Sequence, residues 1–240
     1  MGFLELLRSN QPFLLLIAGL LGLLVGSFLN VVIYRLPVIM QRDWEKQARE
    51  VLELAQDGDT RPFNLLWPPS CCPHCSTAIR AWQNIPVISW LLLRGRCASC
   101  KERISMRYPL VELAAGLLAV LVAWQFGYSG QGAAMLVLTW GLLALSLIDA
   151  DHQLLPDVLV LPLLWLGLLL NSFELFVSLP DAVYGAAFGY LSLWSVFWLF
   201  KLITGKEGMG YGDFKLLAML GAWGGWQVLP LTILLSSVVV

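Results

Sequence analysis

The chain cannot hide its apolar runs inside a globule, and that limits what it can fold into. From Ser9 to Tyr34 no residue carries a charge, a run longer than the roughly 20 apolar residues a helix needs to cross a bilayer. Hydrophobic residues make up 58% of the 240 and charged ones only 13%, with a mean hydropathy of +0.74. A soluble core of this size has too little interior for so much apolar surface, so the chain reads as an integral membrane protein. Only Arg8 precedes the first run as a basic residue and no A-x-A-like site follows, so it reads as a retained span and not a removed leader.

The same logic predicts an all-α polytopic fold with about seven transmembrane helices. After 9–34, spans are expected near 109–126, 131–149, 158–179, 182–203 and 213–224, and a last one begins at Trp226. The chain stops at Ser236-Ser-Val-Val-Val240 with no polar tail, which reads as a truncated end inside or just after a helix. The predicted organisation is a first transmembrane helix (1–36), a polar domain (37–108) and a membrane domain (109–240).

Ten of the 15 Lys and Arg fall in residues 37–108. The positive-inside rule puts that domain in the cytoplasm and the N-terminus in the periplasm of an inner membrane. Threading onward, the turns at 127–130 and 174–181 fall outside and carry no base, while 201–212 falls inside with Lys201 and Lys206. A net charge of −1 leaves no basic footprint for nucleic acid. The expected surroundings are lipid.

Within the polar domain, residues 41–56 are predicted as a docked surface helix, with Trp44, Ala48, Val51, Leu52 and Ala55 at helical spacing. Asp57-Gly58-Asp59 is expected to end it. Cys72-Pro-His-Cys75 is followed, after 21 intervening residues, by Cys97-Ala-Ser-Cys100. Each short loop delivers two sulfurs to adjacent corners of a tetrahedron, so Cys72, Cys75, Cys97 and Cys100 are the expected ligands of a structural zinc. A reducing cytoplasm argues against two disulfides; a redox pair or an iron–sulfur cluster are the alternatives. Cys71 is left over, and His74 reads as a loop residue.

The threading puts two carboxylates, Asp149 and Asp213, at the cytoplasmic rim. An ionisable group at a bilayer edge is costly and marks a functional site by default, and two carboxylates sharing one proton are the machinery of aspartic proteolysis. Helix capping is the competing reading of each. Among their neighbours, Asp151 is expected to be solvated, Asp157 to cap the following helix, and Glu112 to suit the N-terminus of its span. Gly205-Lys-Glu-Gly-Met-Gly-Tyr-Gly212 lacks the G-K-[ST] order of a phosphate loop and follows an apolar helix, so its glycines read as a tight turn beside Asp213. No G-x-S-x-G occurs, and His152 is the only histidine outside the cysteine segment.

Five ordered blocks resemble a known family. Gly210-Tyr-Gly-Asp213-Phe-Lys-Leu216 is similar to the G-x-G-D signature of intramembrane aspartyl proteases. Ile148-Asp149-Ala-Asp-His-Gln-Leu-Leu-Pro-Asp157 is similar to the first-aspartate block of bacterial type IV prepilin leader peptidase/N-methyltransferases. Gly26-Ser-Phe-Leu-Asn-Val-Val-Ile-Tyr-Arg-Leu-Pro37 resembles that family's first span. Pro68–Cys75 with Leu93–Cys100, and Ile104–Glu112, resemble its cytosolic part.

The resemblance implies eight spans, against about seven here. It implies cleavage of the basic leader of prepilins and pseudopilins after a glycine by Asp149 and Asp213. It also implies methylation of the new N-terminal residue from S-adenosylmethionine, with Gly95 in the methyl-transfer motif. The acidic rim of Asp149, Asp151 and Asp157 would favour the basic leader. A carboxylate-lined ion or proton-coupled transporter, and a membrane methyltransferase with structural aspartates, are the rival readings.

Overall fold

A computed structural model of the chain describes residues 2–54, 62–206 and 208–239. Nine α-helices account for most of them: α1 (Phe3–Ser9), α2 (Gln11–Val51), α3 (Ile88–Leu92), α4 (Arg107–Phe126), α5 (Gly130–His152), α6 (Asp157–Asn171), α7 (Leu179–Thr204), α8 (Tyr211–Gly224) and α9 (Leu229–Val239). No strand occurs among the described residues beyond two isolated bridges. By length and composition, α2, α4, α5 and α7 can cross a membrane, while α6 and the Trp226–Ser237 stretch are shorter apolar helices. The fold is therefore helical and membrane-embedded, as the apolar runs require. The described residues fall into two compact units, Met1–His152 and Gln153–Val240.

In the first unit, α2 and α4 pack backbone to backbone. A Cβ on Gly22 would lie 2.7 Å from the Ala115 carbonyl oxygen, and one on Gly26 would lie 2.7 Å from Glu112 Cα. Small residues at this spacing let helices approach where water supplies no hydrophobic drive, so close van der Waals contact does the work. Trp140 on α5 donates its indole N–H to the Ala115 carbonyl at 3.3 Å, fastening the third helix.

The predicted break between a first span and a separate surface helix is absent. α2 runs unbroken for 41 residues through Pro37 to Val51. A proline removes one helical hydrogen bond, but Leu36 and Pro37 are buried and the turn is held from outside. The buried Arg35 donates to the Asn64 carbonyl at 3.0 Å and to the Pro68 carbonyl at 2.7 Å. Phe63 lies under Arg42 at 4.3 Å. The predicted helix stop at Asp57-Gly58-Asp59 lies outside the described residues.

In the second unit, α7 and α8 meet at Gly185 and Gly221, where any Cβ would run into the other helix's backbone. Asn171 is fully buried and fully used. Its amide donates to the Ala222 and Trp223 carbonyls at 2.9 and 3.2 Å, and its oxygen accepts from the Phe176 and Val177 amides at 3.0 and 3.2 Å. One side chain thus closes the end of α8 and shapes the turn after α6. At the opposite end of α8, Tyr211 and the buried Phe214 pack on Phe197 with ring centroids 5.2 and 5.6 Å away.

Candidate metal centre and acidic helix ends

The cysteine segment is built from two copies of one turn. In the first, the Cys72 amide donates to the Thr77 carbonyl, Ser76 donates back to Cys72, and Ile79 donates to Ser70. In the second, Cys97 donates to Glu102, Lys101 to Cys97, and Ile104 to Gly95. Ser76 and Lys101 share a positive φ, near 55° and 60°. The repeat Cys-x-x-Cys-x-x-x-Ile, at 72–79 and again at 97–104, is plain in the sequence and went unread there.

The four sulfurs converge. Cys72 Sγ lies 3.8 Å from Cys100 Sγ, and Cys75 Sγ lies 4.0 Å from Cys97 Sγ. All four ligand atoms lie within 4.8 Å of one another. A tetrahedron with zinc–sulfur arms of roughly 2.3 Å has edges of about 3.8 Å, so the set fits zinc in chemistry and in size. Cys71 is not part of the cluster, and His74 points to no role in it.

The protons on these thiols are unevenly held. The Thr77 hydroxyl and amide draw Cys75 down to about 6. The Cys100 and Ser99 amides lower Cys97. Although the Glu102 amide works the other way, desolvation and three neighbouring sulfurs push Cys100 up to about 12. Four crowded thiolates repel, and a divalent cation at their centre removes that conflict.

Gly95 lies at the base of the second turn with φ +65°. A Cβ there would lie 2.7 Å from Trp90 Cζ2. The Trp90 indole N–H reaches the Ile104 carbonyl at 3.3 Å. Gly95 therefore admits the indole that braces the turn. Close by, the Val87 amide donates to the buried Glu112 carboxylate at 2.7 Å. Sequence alone gave Glu112 a helix-end role; it instead fastens the cysteine segment to α4.

Asp149 sits in the last turn of α5, in the first unit, with an exposed carboxylate beside the fully buried Ile148. Asp213 is the third residue of α8, in the second unit, and half-buried. Its Oδ2 lies 3.7 Å from where a Gly210 Cβ would stand, and a Gly212 Cβ would press on Leu155 at 2.9 Å. The glycine-rich turn puts no side chain beside the carboxylate at 210 and seats α8 on Leu155.

Among the neighbouring acids, Asp151 is exposed, as expected, but it is also paired: Arg107 grips it with two hydrogen bonds, of 2.9 and 2.5 Å. Asp157 does not cap α6, whose N-cap is Pro156; both its oxygens accept from Lys215 Nζ, at 2.8 and 2.7 Å. The acidic rim expected to attract a basic leader is thereby reduced, because two of its three carboxylates are already engaged. Neither pair was legible beforehand, since the partners stand 44 and 58 residues apart.

Residues 20–126 match the family model of the bacterial peptidase A24 N-terminal domain, and residues 136–240 that of the type IV leader peptidase family. Relatives described as prepilin leader peptidase/N-methyltransferase are similar along nearly the whole chain. The one from Stutzerimonas stutzeri is 72% identical, covering 98% of this chain and 81% of the relative. That of Pseudomonas aeruginosa is 66% identical over 100% of this chain and 82% of its own. That of Neisseria gonorrhoeae is 57% identical over 95% and 80%. No solved structure matches.

Proposed function

The chain belongs to the type IV leader peptidase family, and on that footing we propose that it cleaves the leaders of type IV prepilins and pseudopilins with Asp149 and Asp213 and methylates the new N-terminus. The observation that supports the proteolytic half is the α8 turn, which places the half-buried Asp213 at the third residue of the helix, next to two glycines that add no side chain beside it.

In this reading one carboxylate is ionised and takes a proton from water. The water oxygen attacks the scissile carbonyl carbon while the protonated carboxyl donates to the carbonyl oxygen. Collapse of the tetrahedral intermediate breaks the C–N bond, and the proton held by the base passes to the leaving amine. Asp213, in the first turn of α8, has the helix dipole in favour of its anion and is the better candidate for the base. General acid–base work of this kind contributes on the order of 10²–10⁴-fold. The reaction takes place at the cytoplasmic face, where water reaches the helix ends.

Cys72, Cys75, Cys97 and Cys100 would hold a zinc with all four positions filled, which would close the two turns and leave no open position for a substrate. S-adenosylmethionine, which an N-methyltransferase requires, supplies the methyl group. Gly95 contributes to that activity by letting Trp90 brace the second turn.

One assay decides among the readings: incubate the purified protein with a prepilin and a labelled methyl donor, then read leader loss and label. Both signals support the proposal. Neither signal favours a carboxylate-lined transporter, and label on a pre-cleaved pilin without cleavage favours a methyltransferase whose aspartates are structural.

A further inference from the structure

Each candidate catalytic aspartate has, two residues further along its helix, a side chain locked to the start of another helix. Asp149 is followed by Asp151, gripped by Arg107 at the first residue of α4. Asp213 is followed by Lys215, which holds Asp157 at the first residue of α6. The first pair lies wholly within one unit and the second wholly within the other.

Residues two apart on a helix point about 200° apart. The locked side chain therefore draws its helix toward the neighbour and turns the aspartate away from it. Helix termini otherwise fray, because their last backbone groups lack intrahelical partners. Asp149 stands in such a terminal turn and Asp213 in another. Arg107 holds Asp151 through two nitrogens, a fork that fixes direction as well as distance, while the single Lys215 Nζ sits between both Asp157 oxygens and fixes distance. With side chains 44 and 32% exposed in one pair and 30 and 52% in the other, neither pair is worth much as bulk stability. Their effect is on where the helix end points.

We infer that Arg107–Asp151 and Lys215–Asp157 are paired positioning tethers, one for each candidate catalytic aspartate, which orient the two helix ends. This rests on the proposed roles of Asp149 and Asp213. Those roles are tested separately by Asp149→Asn and Asp213→Asn, whose retained cleavage would remove the dyad and leave nothing to position.

The test uses the full chain, purified in detergent, with a prepilin substrate. Arg107→Met and Asp157→Asn should each lower kcat for leader cleavage tenfold or more, with KM within threefold and methylation of a pre-cleaved pilin retained. The pH profile of kcat should also move. The exchanged pairs, Arg107→Asp with Asp151→Arg and Lys215→Asp with Asp157→Lys, should recover at least a third of the wild-type kcat. Cleavage within twofold of wild type in the single variants overturns the inference. So does parallel loss of cleavage and methylation that exchange does not restore, which is the mark of a merely structural contact. If the single variants fail to accumulate, the exchanged pairs decide: an exchanged enzyme that methylates normally but cleaves no better than Asp149→Asn overturns it.

Discussion

Cys72 Sγ stands 3.8 Å from Cys100 Sγ, although 28 residues separate them. Each knuckle thus gives its first cysteine to the other's second, and a metal between them fastens 72–79 to 97–104. Purified protein should contain about one zinc per chain. Cys72→Ser or Cys97→Ser should each reduce that content several-fold and make the segment between α2 and α4 sensitive to protease. Metal analysis and limited proteolysis read the two effects.

The same site predicts a direction with pH. Binding requires thiolates, so it must displace protons, above all from Cys100 at about 12. Cys75, at about 6, is the thiol that recaptures a proton as the solution turns acid. Zinc affinity should rise with pH above neutrality and fall steeply below about pH 6. Competition with a chromogenic chelator at pH 5.5, 7 and 8.5 should show weakest retention at the lowest value.

Asp149→Asn and Asp213→Asn should each reduce leader cleavage by at least 10²-fold, the lower range of general acid–base catalysis. Both variants should accumulate in the membrane, and both should methylate a pre-cleaved pilin. Gel separation of precursor from mature pilin reads the first activity, and incorporated label the second.

Asn171→Leu should be among the most destabilising single changes. It strands two amides and two carbonyls that Asn171 now satisfies. A stranded buried polar group costs roughly 1–3 kcal/mol, so a total loss of about 3 kcal/mol or more is expected after relaxation. The thermal midpoint in detergent should fall by several degrees, with α8 the first helix to lose protection in hydrogen exchange.

Gly95→Ala should lower methyl transfer while sparing leader cleavage. The added methyl must displace Trp90, because its place is 2.7 Å from the ring. A parallel fall in zinc affinity would trace the loss to the braced turn. Equal loss of both enzymatic activities would assign Gly95 to general folding.

How much of this the sequence carried depended on range. The long uncharged runs at 9–34 and 131–148 announced membrane helices because hydropathy is local. The cysteine ligands were legible because C-x-x-C fixes its own geometry within four residues. The pairing of Asp151 and Asp157 was not legible because their partners, Arg107 and Lys215, come from distant helices and no local pattern names them. The continuity of α2 was not legible because the uncharged run stops before Arg35 and a charged segment follows, and what sustains the helix there, Arg35 bound at 64 and 68, is non-local.

That unbroken helix has a mechanical meaning. Forty-one residues at about 1.5 Å each make a shaft of roughly 60 Å, twice the hydrocarbon thickness of a bilayer. Arg35 and Glu112 bolt the cysteine segment to this shaft and its neighbour, with no hinge in α2 between Gln11 and Val51. The cysteine segment therefore keeps one fixed offset along that shaft, as a mark does on a gauge.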